Sequence, residues 1–243
     1  MRDVDQIYSY LKDVYIFDVD GTLTPPRQVI DEKFAKIFNR FCKNNSVYLA
    51  TGSDYPKIQE QLNQDILSNC MGVFTCMGNQ LWVNDEIIYS HKLNFPSPVI
   101  DWLHEQISSS KYPKDKRGTR HFEHRAGMLN FSIVGRDITT FERKEYHAWD
   151  TLHGERNRIV TTFNRLFQDY KLEAAVGGEI SIDIQEIGKD KGQIYDYLSQ
   201  YKTKIFFGDK CKPDGNDFSL YKKCEKKHFV KSWRDTMDIV NGF

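Results

Sequence analysis

No stretch of the 243-residue chain stays apolar for the length that a bilayer crossing requires, so a spanning helix is not expected. The opening segment, MRDVDQIYSYLKD, is charged throughout and lacks the apolar centre of a secretory leader, which points to a cytoplasmic protein. Cysteine is scarce: five residues, an odd number, scattered and without a CxxC pair. That spacing excludes a disulfide framework and a zinc site of the usual kind, and predicts reduced thiols. Net charge is also missing. Lys+Arg and Asp+Glu each number 34, so the chain has no basic excess with which to bind nucleic acid through its phosphates. Internal repeats and low-complexity tracts are absent as well. What remains is the balance of a soluble globular protein, 40% apolar and 28% charged, long enough for one large domain or two moderate ones.

Periodicity supplies the organisation. VYIFDVD reads as a short buried strand, and DEKFAKIFNRFCKNN places Phe34, Ile37, Phe38 and Phe41 on one helical face. SVYLATGSD follows as a second strand ending in a glycine turn, and DYPKIQEQL as a capped helix with Pro56 in its first turn. Strand–helix alternation of this kind predicts a parallel sheet covered on both faces. From about Asn84 to Ile187 the pattern changes to antiparallel strands, with a turn at Ala126-Gly127 in HFEHRAGMLNFSIVGR. A helix over RNRIVTTFNRLFQDY should bury Ile159, Phe163, Leu166, Phe167 and Tyr170. In EISIDIQE, Glu179, Ser181 and Asp183 share one face and Ile180, Ile182 and Ile184 the other. After Gly188 the α/β pattern resumes with DKGQIYDYLSQY, KIFFGD and HFVK. The expected fold class is α/β: a Rossmann-like core with a parallel sheet (1–84 and 188–243) interrupted by an inserted α+β cap (85–187). The expected ligand site is a cleft between them.

Polar residues gather at the strand ends, where open parallel sheets bind ligands. Asp18 and Asp20 follow the first strand, Thr51 the second, Lys191 precedes a later one, and Asp209 opens GDKCKPDGND. Any one aspartate could cap a turn. Three carboxylates at neighbouring strand ends repel one another unless a cation lies among them, and hard oxygen ligands suit Mg²⁺. Asp18, Asp20 and Asp209 are therefore the expected metal ligands. Such a site suits phosphoryl transfer, with Asp18 as nucleophile, Asp20 as acid/base, and Thr51 and Lys191 holding phosphate.

DVDGT, TGS, DKG and GDKCKPDGND resemble the four motifs of the haloacid-dehalogenase superfamily of aspartate-dependent phosphotransferases. Arginines in the insert suit a second phosphate, because the guanidinium fork matches phosphate oxygens. Arg125 lies on the hairpin and Arg136 ends its second strand. Arg143 sits in the first turn of a helix opened by the capping box Thr139-x-x-Glu142. With TPPRQ, RGT, RAGMLN, GRDITTFER and GGEISID, the chain closely resembles the eukaryotic-type phosphomannomutases over nearly its whole length. The resemblance implies that Arg27, Arg125, Arg136 and Arg143 hold phosphates and that Ser181 and Asp183 hold sugar hydroxyls. It further implies hexose phosphate substrates, a hexose 1,6-bisphosphate activator, an aspartyl-phosphate shielded by a closing cap, and a homodimer through the caps. Four features depart from the family: Thr51 replaces a glycine, FTCMGNQ replaces a segment containing Glu-Asn-Gly, one residue is inserted between Arg117 and Arg125, and the acidic position of an additional cation site falls on the basic KKC (Lys222–Cys224). They keep open a sugar-phosphate phosphatase or a phosphoglucomutase; a non-catalytic sugar-phosphate binder would not need both Asp18 and Asp20. The basic run Lys111–Arg120 reads as a solvated loop, His121 and His124 as surface or hinge residues, and Cys211 as a passive thiol.

Overall fold

The computed structural model describes residues 13–213 and 215–243. The expected reach of the core back to residue 1 lies outside the described residues. The described residues divide into two compact units, one of residues 13–91 with 188–243 and one of residues 92–187.

The first unit is built on β1 (Asp13–Phe17), β2 (Ser46–Ala50), β3 (Gly72–Thr75), β4 (Gln80–Val83), β5 (Glu86–Ser90), β10 (Thr203–Gly208) and β11 (Lys226–Phe229). They form one sheet in the order β11-β10-β1-β2-β3-β4-β5, parallel from β11 to β3 and antiparallel beyond it. Alternate residues feed opposite faces, as period-two geometry requires. Ile16 and Phe206 join one core with Val14, Tyr48, Ala50 and Phe74. Phe17, Ile205 and Phe207 join the other with Val47, Leu49 and Val73. That second core is roofed by α1 (Glu32–Asn44), α2 (Tyr55–Gln61), α3 (Gln64–Asn69) and α9 (Trp233–Asn241). α1 starts where Asp31 caps it, accepting from the N–H groups of Lys33 and Phe34 at 2.9 and 3.0 Å. It buries Phe34, Phe38 and Phe41, each contributing about 1.5–3 kcal/mol of burial. The opposite face carries α7 (Gln193–Tyr197) and α8 (Phe218–Lys223), with Ile194, Leu198 and Leu220 buried.

The first unit extends past the expected boundary at Asn84. Asn84 and Asp85 both adopt positive φ, 50° and 64°, the conformation of a two-residue hairpin turn, so residues 86–90 fold back onto β4. The strand reading from Asn84 onward was right in direction, but β5 belongs to the core sheet.

The second unit contains α4 (Ser97–Ser109), β6 (Phe122–Arg125), β7 (Met128–Phe131), α5 (Thr140–His153), α6 (Glu155–Leu166), β8 (Leu172–Gly177) and β9 (Ser181–Glu186). Its four strands form an antiparallel sheet in the order β6-β7-β9-β8. One face packs Leu129, Phe131, Ile182 and Ile184 against Leu103, Ile159 and Phe163 from the helices. The stripe on α6 ends sooner than its periodicity predicts: Phe167 is buried, but Leu166, the last helical residue, is exposed, and so is Tyr170, which lies in the 3₁₀ turn Gln168–Tyr170.

Candidate active site

Asp18 leaves β1 at its carboxyl end, where its backbone N–H still donates to Phe207 O at 2.9 Å. Asp18 is buried, and its carboxylate lies against the ammonium of Lys191, which is fully buried and donates to Asp18 Oδ1 at 2.5 Å and to Asp217 Oδ1 at 2.6 Å. Asp217 in turn accepts from the Lys210 N–H at 3.0 Å. Asp209, directly after β10, completes a group in which one carboxylate oxygen from each of Asp18, Asp209 and Asp217 lies within 4.8 Å of the other two. Gly21 makes room for this approach. Its φ is +91°, and a Cβ there would stand 2.3 Å from Asp209 Oδ2.

The electrostatics are those of a crowded acidic site. Burial and then the charge of Asp217 push Asp18 up to about 7, against the pull of Lys191. Burial raises Asp209 too. Burial alone would lower Lys191, but Asp18 and Asp217 outweigh it and raise it. Three carboxylates against one ammonium leave two negative charges, and Asp209 Oδ1 is buried without a hydrogen-bond partner among the described residues. An all-oxygen donor set with one orphaned acceptor fits a hard divalent cation such as Mg²⁺.

Asp20 is not in that group, contrary to the expected ligand set of Asp18, Asp20 and Asp209. Its Oδ1 accepts from the backbone N–H of Arg27 at 2.6 Å and from Gln61 Nε2 at 2.9 Å, and Oδ2 meets Ser53 Oγ at 3.5 Å. The carboxylate is thereby turned toward α2, and Asp217 takes its place. Arg27 itself is exposed, at a φ of 61°. Thr51, 1% exposed at the end of β2, accepts from the Ser53 N–H at 3.0 Å, and among the described residues its hydroxyl donates to none. The segment beside it is strained. Cys76 and Met77 both adopt left-handed φ, 50° and 59°, where the family resemblance expected Glu-Asn-Gly, and their N–H groups bond Ser53 O and Thr51 O.

In the second unit, the polar face of the sheet carries its own cluster. Register places Glu123, Asn130 and Asp183 on one rung across β6, β7 and β9. Glu123 accepts from Arg125 Nε at 2.7 Å and from Arg136 Nε at 2.5 Å, which holds its carboxyl below the usual range despite burial. Arg136 also donates to Asn130 Oδ1 and, at 3.0 Å, to Ser181 Oγ; Asn130 donates to Asp183 Oδ1 at 2.5 Å. Arg143 donates to Arg136 O at 2.8 Å from the first turn of α5, behind the capping box of Thr139 and Glu142. Arg125, Arg136, Arg143, Ser181 and Asp183 are thus neighbours, as Arg27, Asp20 and Gln61 are in the first unit. Arg136 lies beyond β7 rather than ending it, in a loop where its N–H still pairs with Arg120 O at 2.8 Å. Ser181 sits beneath Arg136 and is buried, so its face of β9 is less wet than alternation suggests.

Known proteins resemble this chain over almost all of it. The family described as eukaryotic phosphomannomutase matches residues 34–243. A phosphomannomutase of Dendrobium officinale is 36% identical over 234 residues, 93% of this chain and 91% of that protein. Phosphomannomutase 2 of Dictyostelium discoideum is 31% identical over 95% of this chain and 96% of its own length. The chain belongs to the eukaryotic phosphomannomutase family. Among solved structures, a haloacid dehalogenase-like hydrolase from Bacteroides thetaiotaomicron gives a TM-score of 0.64 at 13% identity, covering 95% of this chain and 99% of that one. The C-terminal domain of a trehalose-6-phosphate phosphatase from C. albicans gives 0.63 at 14% identity, covering 98% and 94%. These likenesses establish the haloacid-dehalogenase fold.

Within this family member, sequence reasoning missed Asp217, Gln61, Glu123 and Asn130. Asp217 closes the GDKCKPDGND motif and was visible as a fourth acid near the site. Glu123 and Asn130 were visible only as polar residues on the right face of their strands. Gln61 gave no signal, being one of two glutamines in QEQ. The basic run is the largely exposed loop that was expected, with Lys111, Lys114, Lys116 and Arg120 exposed and Arg117 the exception among its basic residues. Arg117 reaches inward to the carbonyls of Ile107 (2.7 Å), Ser110 (3.0 Å) and Tyr112. His121 Nδ1 bonds Ser132 O at 2.9 Å, and Cys211 is buried with its thiol pushed up to about 12 by desolvation.

Proposed function

We propose that this protein interconverts mannose 6-phosphate and mannose 1-phosphate through a phosphorylated Asp18 and a hexose 1,6-bisphosphate. The observation that carries the reading is the Asp18 carboxylate fixed at the end of β1 by a fully buried lysine, in a member of the phosphomannomutase family. A phosphorylated Asp18 passes its phosphoryl group to the free hydroxyl of mannose 1- or 6-phosphate while Asp20 takes that hydroxyl's proton, which frees the Asp18 carboxylate and gives the bisphosphate. An Asp18 oxygen then attacks the bisphosphate's other phosphorus, and Asp20 returns the proton to the departing sugar oxygen. Lys191 and the Thr51 hydroxyl offset charge on the phosphoryl oxygens. The arginines of the second unit (Arg125, Arg136, Arg143), with Arg27 of the first, take the phosphate at the other end of the sugar, and Ser181 and Asp183 take its hydroxyls. Mg²⁺ held by Asp18, Asp209 and Asp217 would supply further charge neutralisation for the transferred group.

The test is conversion of mannose 1-phosphate in the presence of Mg²⁺ and a trace of hexose 1,6-bisphosphate. Formation of mannose 6-phosphate is expected; release of inorganic phosphate without it overturns the mutase reading. That second outcome would favour a sugar-phosphate phosphatase, a reading supported by Thr51 and by the strained Cys76-Met77 turn, where the chain departs from its family. Glucose 1-phosphate run in parallel separates a phosphoglucomutase.

The proposed setting is a cytoplasmic homodimer joined through the second unit. Five buried free cysteines support a reducing compartment, and among the described residues no helix is long and apolar enough to cross a membrane. Phe141 and Leu152, eleven positions apart and so on one side of α5, are 71% and 83% exposed, apolar surface that a second copy would cover.

A further inference from the structure

Gln61 is 1% exposed, yet it is an amide. It ends α2, whose Ile58 and the following Leu62 are packed in the core. Its Nε2 donates to Asp20 Oδ1 at 2.9 Å and to Thr24 Oγ1 at 3.0 Å, and lies 3.5 Å from Gln28 O. Its backbone carbonyl accepts from the Ile30 N–H at 2.9 Å. One buried residue therefore ties the loop that follows DVDGT to a fixed helix.

Turn stability alone does not require this arrangement. An apolar side chain of the same size would fill the space with no polar group to desolvate, whereas the amide leaves Oε1 buried and, among the described residues, without a partner. What the amide adds is a directed bond to a single oxygen of a half-exposed carboxylate. The Arg27 N–H meets that same oxygen at 2.6 Å. Asp20 Oδ1 is thus held from two sides, while Oδ2 meets only Ser53 Oγ, at 3.5 Å, among the described residues.

We propose that Gln61 is a positioning residue: it anchors Asp20 by Oδ1 so that Oδ2 is the oxygen that passes the proton. The proposal rests on the reading of Asp20 as acid/base. In that step an Asp18 oxygen bonds to phosphorus and the bond from phosphorus to the sugar oxygen breaks. The departing oxygen takes the proton from the Asp20 carboxyl, which is left as carboxylate. Loosening a proton donor costs a reaction that needs the proton and spares one that does not.

The experiment compares Gln61→Met, which keeps the side-chain length and removes the donor, with Asp20→Asn and the unaltered full chain, all with Mg²⁺. Turnover of mannose 1-phosphate, primed with a trace of hexose 1,6-bisphosphate, passes through a bisphosphate whose departing sugar oxygen must be protonated; p-nitrophenyl phosphate releases a phenolate that need not be, read as the first-turnover burst. Gln61→Met is expected to lower kcat on mannose 1-phosphate by about 10–100-fold with KM within about twofold and the burst rate within about twofold. Asp20→Asn should show the same contrast, deeper. Thr24→Val, which removes the side-chain acceptor of Nε2 other than Asp20, should lower the melting temperature without the contrast. An unchanged kcat in Gln61→Met, equal losses on both substrates, or the same contrast in Thr24→Val overturns the proposal. Absence of the contrast in Asp20→Asn overturns it by way of the acid/base reading, which identifies that failure separately.

Discussion

A carboxyl buried beside other carboxyls binds its proton more tightly in the folded chain than in the unfolded one. Asp18, raised from 3.8 to about 7 by burial and Asp217, is in that position when no cation is bound. The folded state then holds more protons between those values, so stability conferred through Asp18 is present below about 4 and lost as pH rises to about 7. Without divalent cation, the unfolding free energy of the unaltered protein minus that of Asp18→Asn should fall across this window, as measured by urea titration. A flat or rising difference would contradict the placement. Excess Mg²⁺ should flatten it, because the cation favours the carboxylate. At this scale the sequence was most legible where chemistry and position coincide: Asp18 and Asp209 fall at strand ends, Lys191 in the turn that opens α7, and the three come together. It was least legible where a side chain chooses its direction. Asp20 and Asp217 are both acids beside the site; Asp217 joins the cluster, while Asp20 Oδ1 is taken by the Arg27 N–H and the Gln61 amide.

Elements hold these residues through a few buried polar anchors. Arg156, near the start of α6, is 4% exposed and donates from Nε to Asp150 Oδ2 at 2.7 Å. Its Nη1 reaches Gly178 O at 2.9 Å and Gly177 O and Ser181 O at 3.3 Å, fixing the turn that presents Ser181 and Asp183. Gly177 is needed in that turn, since a Cβ there would stand 2.3 Å from Asp183 Oδ2. Removing one partner of a buried ion pair leaves the other charge uncompensated, so Asp150→Ala should cost about 3–5 kcal/mol by denaturant titration. A loss below about 1 kcal/mol would mean that water replaces the carboxylate and that the anchor matters little. Helices and parallel strands were legible because burial imposes a period on them. The stop of α6 before Tyr170 and the return of β5 onto the core sheet were not, because each turns on local backbone geometry: the 3₁₀ turn after Leu166 and the left-handed pair Asn84-Asp85.

For the whole molecule, family membership and fold follow from motif order and from the interruption of α/β alternation, both of which survive substitution at most individual positions. Assembly follows less readily, since an interface is written in exposed side chains that periodicity treats as surface. The proposed dimer gives a direct expectation: light scattering should report about twice the 28.6 kDa chain mass, and a monomer at micromolar concentration would remove the pairing of second units from the account.

The central claim is that the phosphoryl group travels on Asp18. Acid-quenched protein taken after mixing with hexose 1,6-bisphosphate and Mg²⁺ should carry the added mass of one phosphoryl group, located by peptide fragmentation on Asp18 and missing from Asp18→Asn. A phosphorylated Asp18→Asn, a phosphoryl group on another residue, or no adduct during turnover would contradict it.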